Sequence, residues 1–193
     1  MKNTILTIAI AVGMVGLFQA RSQSDTEAKA YQIDGVHSTV LFKVSHMGIS
    51  NTWGRFDSIA GDLKFGDGAS GNAINVTVKA DSINTGNAGR DKHLRGPDFF
   101  SAKEFPTIAF KSKSWKNTGG MNYDVSGDLT LHGVTKAVTI AVTKVGEGKG
   151  PRGKDRVGFD GLLKLKRTDF GMTKLVGPAG DEVTLHLAIE GMR

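Results

Sequence analysis

No cysteine occurs among the 193 residues. That removes disulfide frameworks, thiolate zinc sites, cysteine nucleophiles and cysteine-linked lipids. Proline is scarce at 4 residues, so no proline-rich linker divides the chain, and at this length one domain is expected. No stretch reaches the roughly 20 apolar residues of a membrane-spanning helix; the run Ile5 to Phe18 holds 14. Neither sign of charge dominates, since 25 Lys and Arg face 19 Asp and Glu for a formal +6. Such an excess suits anionic head groups or a membrane surface and is weak evidence for a nucleic-acid partner, which the inward parity of Phe42, Phe110, Tyr123 and Phe159 argues against. Glycine, by contrast, is abundant at 26 residues, about twice ordinary usage, as expected of a chain with many turns. With 39% hydrophobic and 23% charged residues, the chain has the balance of a folded globular protein.

Residues 1–22 have the layout of a secretory signal: Lys2 at the start, the uncharged apolar run, then small residues at Ala20 and Ser22. Cleavage after Ala20 or Ser22 is expected, with an uncleaved anchor as the alternative. Without Lys2 and Arg21 the formal charge falls from +6 to +4. Residues 23–30 are polar and aperiodic and read as a flexible leader to a domain spanning 31–193.

From Tyr31 onward the period is two. Val40, Phe42 and Val44 alternate with Thr39, Lys43 and Ser45; Ile74, Val76 and Val78 alternate with Asn75 and Thr77. The same alternation carries Ile108 and Phe110, then Tyr123, Val125, Leu129 and Leu131, then Val138, Ile140 and Val142, then Val157, Phe159, Leu163 and Leu165, and finally Val183 to Ile189. These are strands with one dry and one wet face. Turn signals separate them at Gly66-Asp67-Gly68, Asn117 to Gly120, Gly133, Gly146 to Gly153 and Gly177 to Gly180. The pattern predicts an all-β fold, an eight-stranded antiparallel barrel whose closure removes exposed edges, with a two-sheet sandwich as the alternative. Asn87 to Pro106 departs from it and reads as one or two short helices, Pro97 suiting a first helical turn. Placed at a barrel end, that insertion makes a lid.

Motifs of chemistry are weak. Gly66 to Gly71 matches G-x-G-x-x-G, but a strand follows where a dinucleotide site needs a helix. Gly146 to Lys154 lacks the Gly-Lys-Ser/Thr ending of a phosphate loop and reads as a flexible basic loop. The five histidines form no H-E-x-x-H, and no metal site is assigned. Asp91, His93 and Ser101 can be drawn as a triad, yet proximity along the chain is not geometry, and no catalytic residue or cofactor is assigned.

The dry face therefore carries the functional reading. Gly127, Gly161 and Ala80 interrupt the inward sets; they leave room for a ligand, or else relieve bending of the barrel. An inward set without charges suits a long apolar molecule. The expected lining is Val40, Phe42, Val44, Val76, Val78, Ile108, Phe110, Val125, Leu129, Ile140, Phe159 and Leu163. Arg90 and Arg167, near the barrel ends, are candidates to meet a polar or anionic head group. The alternative is that Arg90, Asp91 and Arg167 with Asp169 make internal salt bridges.

The segment YQIDGVHSTVLFKVSHMGISNTWGRF, from Tyr31 to Phe56, resembles the opening of the YceI-like family of polyisoprenoid-binding proteins. SINTGNAGRDKHLRGPDFFSAKEFPTIAFKS, from Ser82 to Ser112, is similar to its middle signature. GDLTLHGVTKAV, from Gly127 to Val138, and RTDFGM, from Arg167 to Met172, are similar to its later ones. Gly96-Pro97 departs from the small or polar residues usual there. The resemblance implies a lipocalin-like barrel of eight strands with a helical insertion and an apolar tunnel, and a periplasmic, non-enzymatic protein. Its ligand is then an isoprenoid or other long-chain lipid such as an isoprenoid quinone, a prenyl phosphate or a fatty-acid-like chain. Loading would involve contact with a membrane surface, by a monomer or homodimer. Two rival functions stand beside this one: an enzyme acting on an isoprenoid or acyl ester, and a stress-related interaction protein with a filled barrel.

Overall fold

The computed structural model describes residues 27–68 and 70–193; the expected signal segment lies outside them, as does the leader up to residue 26. The alternation becomes eleven strands: β1 (Lys29–Ile33), β2 (Thr39–His46), β3 (Ser50–Phe56), β4 (Ile59–Phe65), β5 (Ala73–Lys79), β6 (Ile83–Asn84), β7 (Thr107–Gly119), β8 (Asn122–Leu131), β9 (Val134–Lys149), β10 (Asp155–Lys166) and β11 (Ala179–Met192). All pairings between these strands are antiparallel. Eight strands close a barrel in the order β1-β4-β5-β7-β8-β9-β10-β11, and β11 returns to β1 through Gln32 opposite Met192 and Ile33 opposite Gly191. β2, β3 and β6 continue β1, β4 and β5 across short breaks and extend the wall at one end. The ring begins at Lys29, two residues before the expected domain start.

In β8 the periodicity is plainest. Tyr123, Val125, Gly127, Leu129 and Leu131 are buried, and the polar residues between them are not. Inward side chains from all around the ring meet in one core, and each large one contributes about 1.5–3 kcal/mol by leaving water. β7 and β8 carry a register shift between Ser112 and Ser114. This bulge inserts one residue and reverses which side chains of β7 face inward beyond it.

Two expectations about the elements need correction. The insertion holds a single α-helix among the described residues, α1 (Ala88–Leu94), capped by the Asn87 side chain accepting from the Arg90 amide at 2.9 Å. Pro97 follows this helix and does not start one, because the chain has already turned at Arg95 and Gly96. Gly146 and Gly148 belong to β9, where the sequence suggested a loop, because they pair with Gly158 and Arg156 of β10. The loop proper shrinks to residues 150–154.

A polar clasp holds the break between β1 and β2. The Asp34 carboxylate accepts from the Val36 amide at 3.0 Å, which folds the local turn, and pairs with His37 Nδ1 at 2.9 Å. Arg156 of β10 donates to Asp34 at 2.8 Å and also meets Glu190 of β11. Hydrogen bonds from His37 and Arg156 hold the Asp34 carboxyl well below the usual carboxylate range. A carboxyl depressed on folding stabilises the fold above its unfolded value of about 3.9 and loses that contribution as pH falls further. Asp34→Asn is therefore expected to lower stability at neutral pH by about 1–3 kcal/mol. The gap to the wild type should narrow at about pH 4 and below, as urea unfolding at a series of pH values checks.

Candidate ligand-binding site

The barrel core is not filled. Two adjoining chambers run along it, of about 140 Å³ near α1 and about 100 Å³ deeper in, and Val40, Val78, Ile108, Leu129 and Leu185 belong to the walls of both. An apolar cavity of about 150 Å³ stays dry and accepts a benzene-sized guest. Two such spaces end to end make one elongated apolar tunnel along the barrel.

All twelve apolar residues singled out from strand parity stand in these walls. Phe42 and Val44 line the outer chamber; Val76, Phe110, Val125, Ile140, Phe159 and Leu163 line the inner one; Val40, Val78, Ile108 and Leu129 line both. The walls also contain residues that parity missed. Leu94, Phe99 and Phe100 descend from the insertion and Met172 from the loop after β10, segments without a strand period to read. Trp115 lines the inner chamber because the bulge in β7 turns it inward; a tryptophan among serines and lysines was the available signal. The small residues do not play the uniform part expected of them. A Cβ on Gly127 would stand 2.3 Å from Lys111 O and 2.8 Å from Phe110 Cζ, so backbone and ring already occupy that space. Ala80 is buried in a 3-10 turn, whereas Gly161 does lie in the inner wall.

The two ends are sealed differently. Deep in the barrel, the rings of Phe65, Trp115, Tyr123 and Phe159 meet at 4.8–5.8 Å. Beyond them lies Lys144, buried over the Phe65 ring and paired with Asp67 and Glu147. Burial pulls the Lys144 ammonium down, but the two carboxylates win and hold it above its ordinary value. At the other end α1 and the loop after β10 cover the outer chamber. Arg95 fastens α1 to the carbonyls of Asp81 at 2.7 Å and Ile83 at 2.8 Å. His132 Nδ1 meets the Phe170 carbonyl oxygen at 3.1 Å, joining the β8–β9 turn to that cover.

Arg167 and Arg90 part company. Arg167 lines the outer chamber, is only 5% exposed, and lies with its guanidinium over the Phe99 ring. It donates to four backbone carbonyls, those of Met172, Lys174, Ala179 and Gly180, at 2.7–3.0 Å. Among the described residues no carboxylate makes an ion pair with it, and burial, offset in part by the charge of Asp181, holds it below its ordinary value. Arg90 is exposed, lies outside both walls, and donates to the side chain and carbonyl of Thr85. The expected salt bridges are also differently made: Asp91 accepts from Thr85, and Asp169 stands 3.8 Å from Lys136. The drawn triad is dispersed, His93 meeting Asp98 at 3.1 Å and Ser101 meeting Glu104. Ligand atoms of Asp34, His37 and Glu190 lie within 4.8 Å of one another, but the Arg156 guanidinium already supplies a cation to both acids.

Arg167 thus works as a strap that draws the 172–180 backbone over the chamber. Arg167→Met, which keeps volume, is expected to lower stability by about 2–4 kcal/mol. Arg167→Lys should recover little of it, since an ammonium cannot reach four carbonyls as a planar fork does. Urea unfolding checks the loss, and faster hydrogen exchange at residues 172–180 places it in the strap.

With the geometry in view, the likeness to known proteins is informative. Residues 31–191 match the family model described as a YceI-like domain. A protein of Azotobacter vinelandii named "UPF0312 protein" is 41% identical over 197 residues, spanning 100% of this chain and 99% of its own. Among solved structures, Burkholderia cenocepacia BcnA has a TM-score of 0.75 at 26% identity, over 82% of this chain and 98% of that one. A polyisoprenoid binding domain from Saccharophagus degradans, implicated in plant cell wall breakdown, has a TM-score of 0.66 at 18% identity, over 83% and 97% of the chains, a likeness of fold alone. The barrel, its helix α1 and the family match over residues 31–191 make this chain a member of the YceI-like family.

Proposed function

We propose that the protein binds a long apolar amphiphile in its tunnel and carries or stores it, without chemistry, in the periplasm after export. The observation that carries this reading is the continuous apolar wall of the two chambers. Arg167, Trp115 and the exposed Asp160 are the residues with polar or charged side chains in it. The preferred ligand is a polyisoprenoid, such as an isoprenoid quinone or prenyl phosphate, or a fatty-acid-like chain. Each buried methylene contributes about 0.8 kcal/mol, so a branched chain gains affinity along its whole length, less what is lost in ordering it. Support also comes from the family and from the structural neighbour described as polyisoprenoid binding.

Loading from a membrane surface fits the rim. Met47 and Ile49, on the β2–β3 turn, and Leu175 and Val176, on the loop after β10, are exposed, Ile49 by 83%. The Met47 amide donates to the Pro178 carbonyl at 2.8 Å, which makes the two loops neighbours. Lys166 and Lys174 stand exposed at the end of β10 and on the loop after it, Lys174 at 4.0 Å from Asp98, and exposed cations there complement an anionic leaflet.

Native mass spectrometry of the mature protein from a bacterial host is expected to find near one lipid per chain. Val40→Trp, at the junction of the chambers, should lower that occupancy several-fold while circular dichroism stays that of a barrel. An empty wild-type protein would sink the reading. Neither wild type nor His93→Ala should hydrolyse a prenyl or acyl ester; turnover lost in His93→Ala would establish the enzyme instead. Ile49→Asp with Leu175→Asp should reduce co-sedimentation with vesicles containing phosphatidylglycerol several-fold, and unchanged binding would remove the rim from the loading step.

A further inference from the structure

The wall of the outer chamber has a seam. Pairing between β9 and β10 runs from the deep end as far as Leu162 opposite Ala141 and stops there, although both strands continue towards α1. Residues 134–140 of β9 therefore pair with β8 alone, and residues 163–166 of β10 with β11 alone.

The chambers divide at the same place. Ile140 and Val142 of β9 line the inner one, whereas the outer one takes Leu129 and Leu131 from β8 and Leu165 from β10 but, among the described residues, none from β9. Register sets Val138 opposite Gly127 and Lys136 opposite Leu129, which puts both on the inward side, since directly opposed residues share a face. Yet Val138 and Leu165 are only half-buried, and Lys136 is exposed. An exposed lysine at an inward position shows that water reaches this side of β9.

Little holds the seam shut. At its mouth Lys136 stands 3.8 Å from Asp169, both side chains about half exposed, and His132 Nδ1 meets the Phe170 carbonyl oxygen at 3.1 Å. An exposed ion pair of that kind contributes little. The cover at the end of the barrel is fastened by two hydrogen bonds from Arg95 and four from Arg167, and bonds from a charged donor are among the stronger ones. Parting β9 from β10 beyond Leu162 breaks no ladder bond, so the side of the barrel opens more readily than its end.

We propose that the tunnel is entered from the side: residues 134–140 and 163–166 are the lips of a lateral portal into the outer chamber, latched by Lys136 with Asp169 and by His132 with Phe170, and the chain of an amphiphile passes between them while the α1 cover stays closed. The inference rests on the tunnel being a lipid site and adds the route by which it fills.

Because the chain has no cysteine, reversible staples can be placed cleanly. Thr139→Cys with Lys164→Cys stands at the first outward pair beyond the ladder, in the register of Leu162 with Ala141. Ser126→Cys with Thr139→Cys puts the same bridge inside the intact β8–β9 ladder, where the two hydroxyls meet at 2.8 Å. Met47→Cys with Pro178→Cys ties the rim loops at the end cover, where the Met47 amide donates to the Pro178 carbonyl. Each pair is joined by a short bis-methanethiosulfonate, and stopped-flow fluorescence follows uptake of cis-parinaric acid by lipid-depleted mature protein. The first staple alone is expected to slow uptake, by about tenfold or more, and dithiothreitol should restore the rate. Uptake unchanged by the first staple, or slowed as much by either of the others, would overturn the portal. A second variant needs no staple: His132→Asn, which suits the left-handed backbone there at φ 51°, combined with Asp169→Asn removes the latch and should speed uptake several-fold. Should the first staple fail to close or fold, that variant decides, and an unchanged rate overturns the portal. A wild type that takes up no probe would instead overturn the tunnel reading itself.

Discussion

Closing an antiparallel sheet of eight strands sends every second side chain of every strand into one bore, and no strand can opt out by turning its wet face inward. In this chain those positions are apolar nearly throughout, from Tyr31 to Ile189. The consequence is a core gathered from the whole ring, in which each strand depends on neighbours far away in sequence. It is also a core whose bore is too wide for its own side chains. The space left between Val40, Val78, Ile108, Leu129 and Leu185 is a direct result of barrel geometry and does not require a dedicated pocket-forming element.

How the bore is sealed decides what it can accept. At the deep end four aromatic rings close it, backed by Lys144 with its two carboxylates. Charges there face one another and the solvent, so the chamber beneath them stays apolar. At the α1 end the cover is made of loops and a short helix, held by arginine hydrogen bonds to backbone carbonyls. An arginine held by carbonyls keeps its charge without a direct ion pair, and Arg167 does so next to the apolar wall, where the charge of Asp181 offsets part of the effect of burial. The two ends are therefore chemically unlike: one closed by packed aromatic rings, the other by loops strapped through arginine.

Charged side chains are kept for the outside and the joints. The Asp34, His37, Arg156 and Glu190 group stands where β1 passes into β2, and it links that break to β10 and β11. Arg95 and the Asn87 cap do the same for α1. Such bonds are directional, whereas apolar contact is not. The polar groups therefore fix where the chain bends, and burial of the inward faces supplies most of the stabilisation.

Period-two alternation is a local property of a strand, and it was enough to indicate an all-β fold, with a barrel preferred to a sandwich, to set apart a helical insertion near residue 90, and to pick out inward residues such as Phe42, Val125 and Phe159. Parity holds only while the strand stays regular. The bulge after Ser112 carried Trp115 into the inner chamber against the simple count, and only pairing with β8 reveals it. Gly127 read either as room for a ligand or as relief of barrel bending, and the Phe110 ring and the β7 backbone fill the space beside it. Arg90 and Arg167 read alike as charges near barrel ends, yet the fold left one on the surface beside Thr85 and buried the other under its own loop. Sequence by itself determined the dry face, because hydrophobic period is written in neighbouring residues; tertiary structure decided which side chains reach the tunnel and what closes it, because bulges, loops and lids are settled by partners distant along the chain.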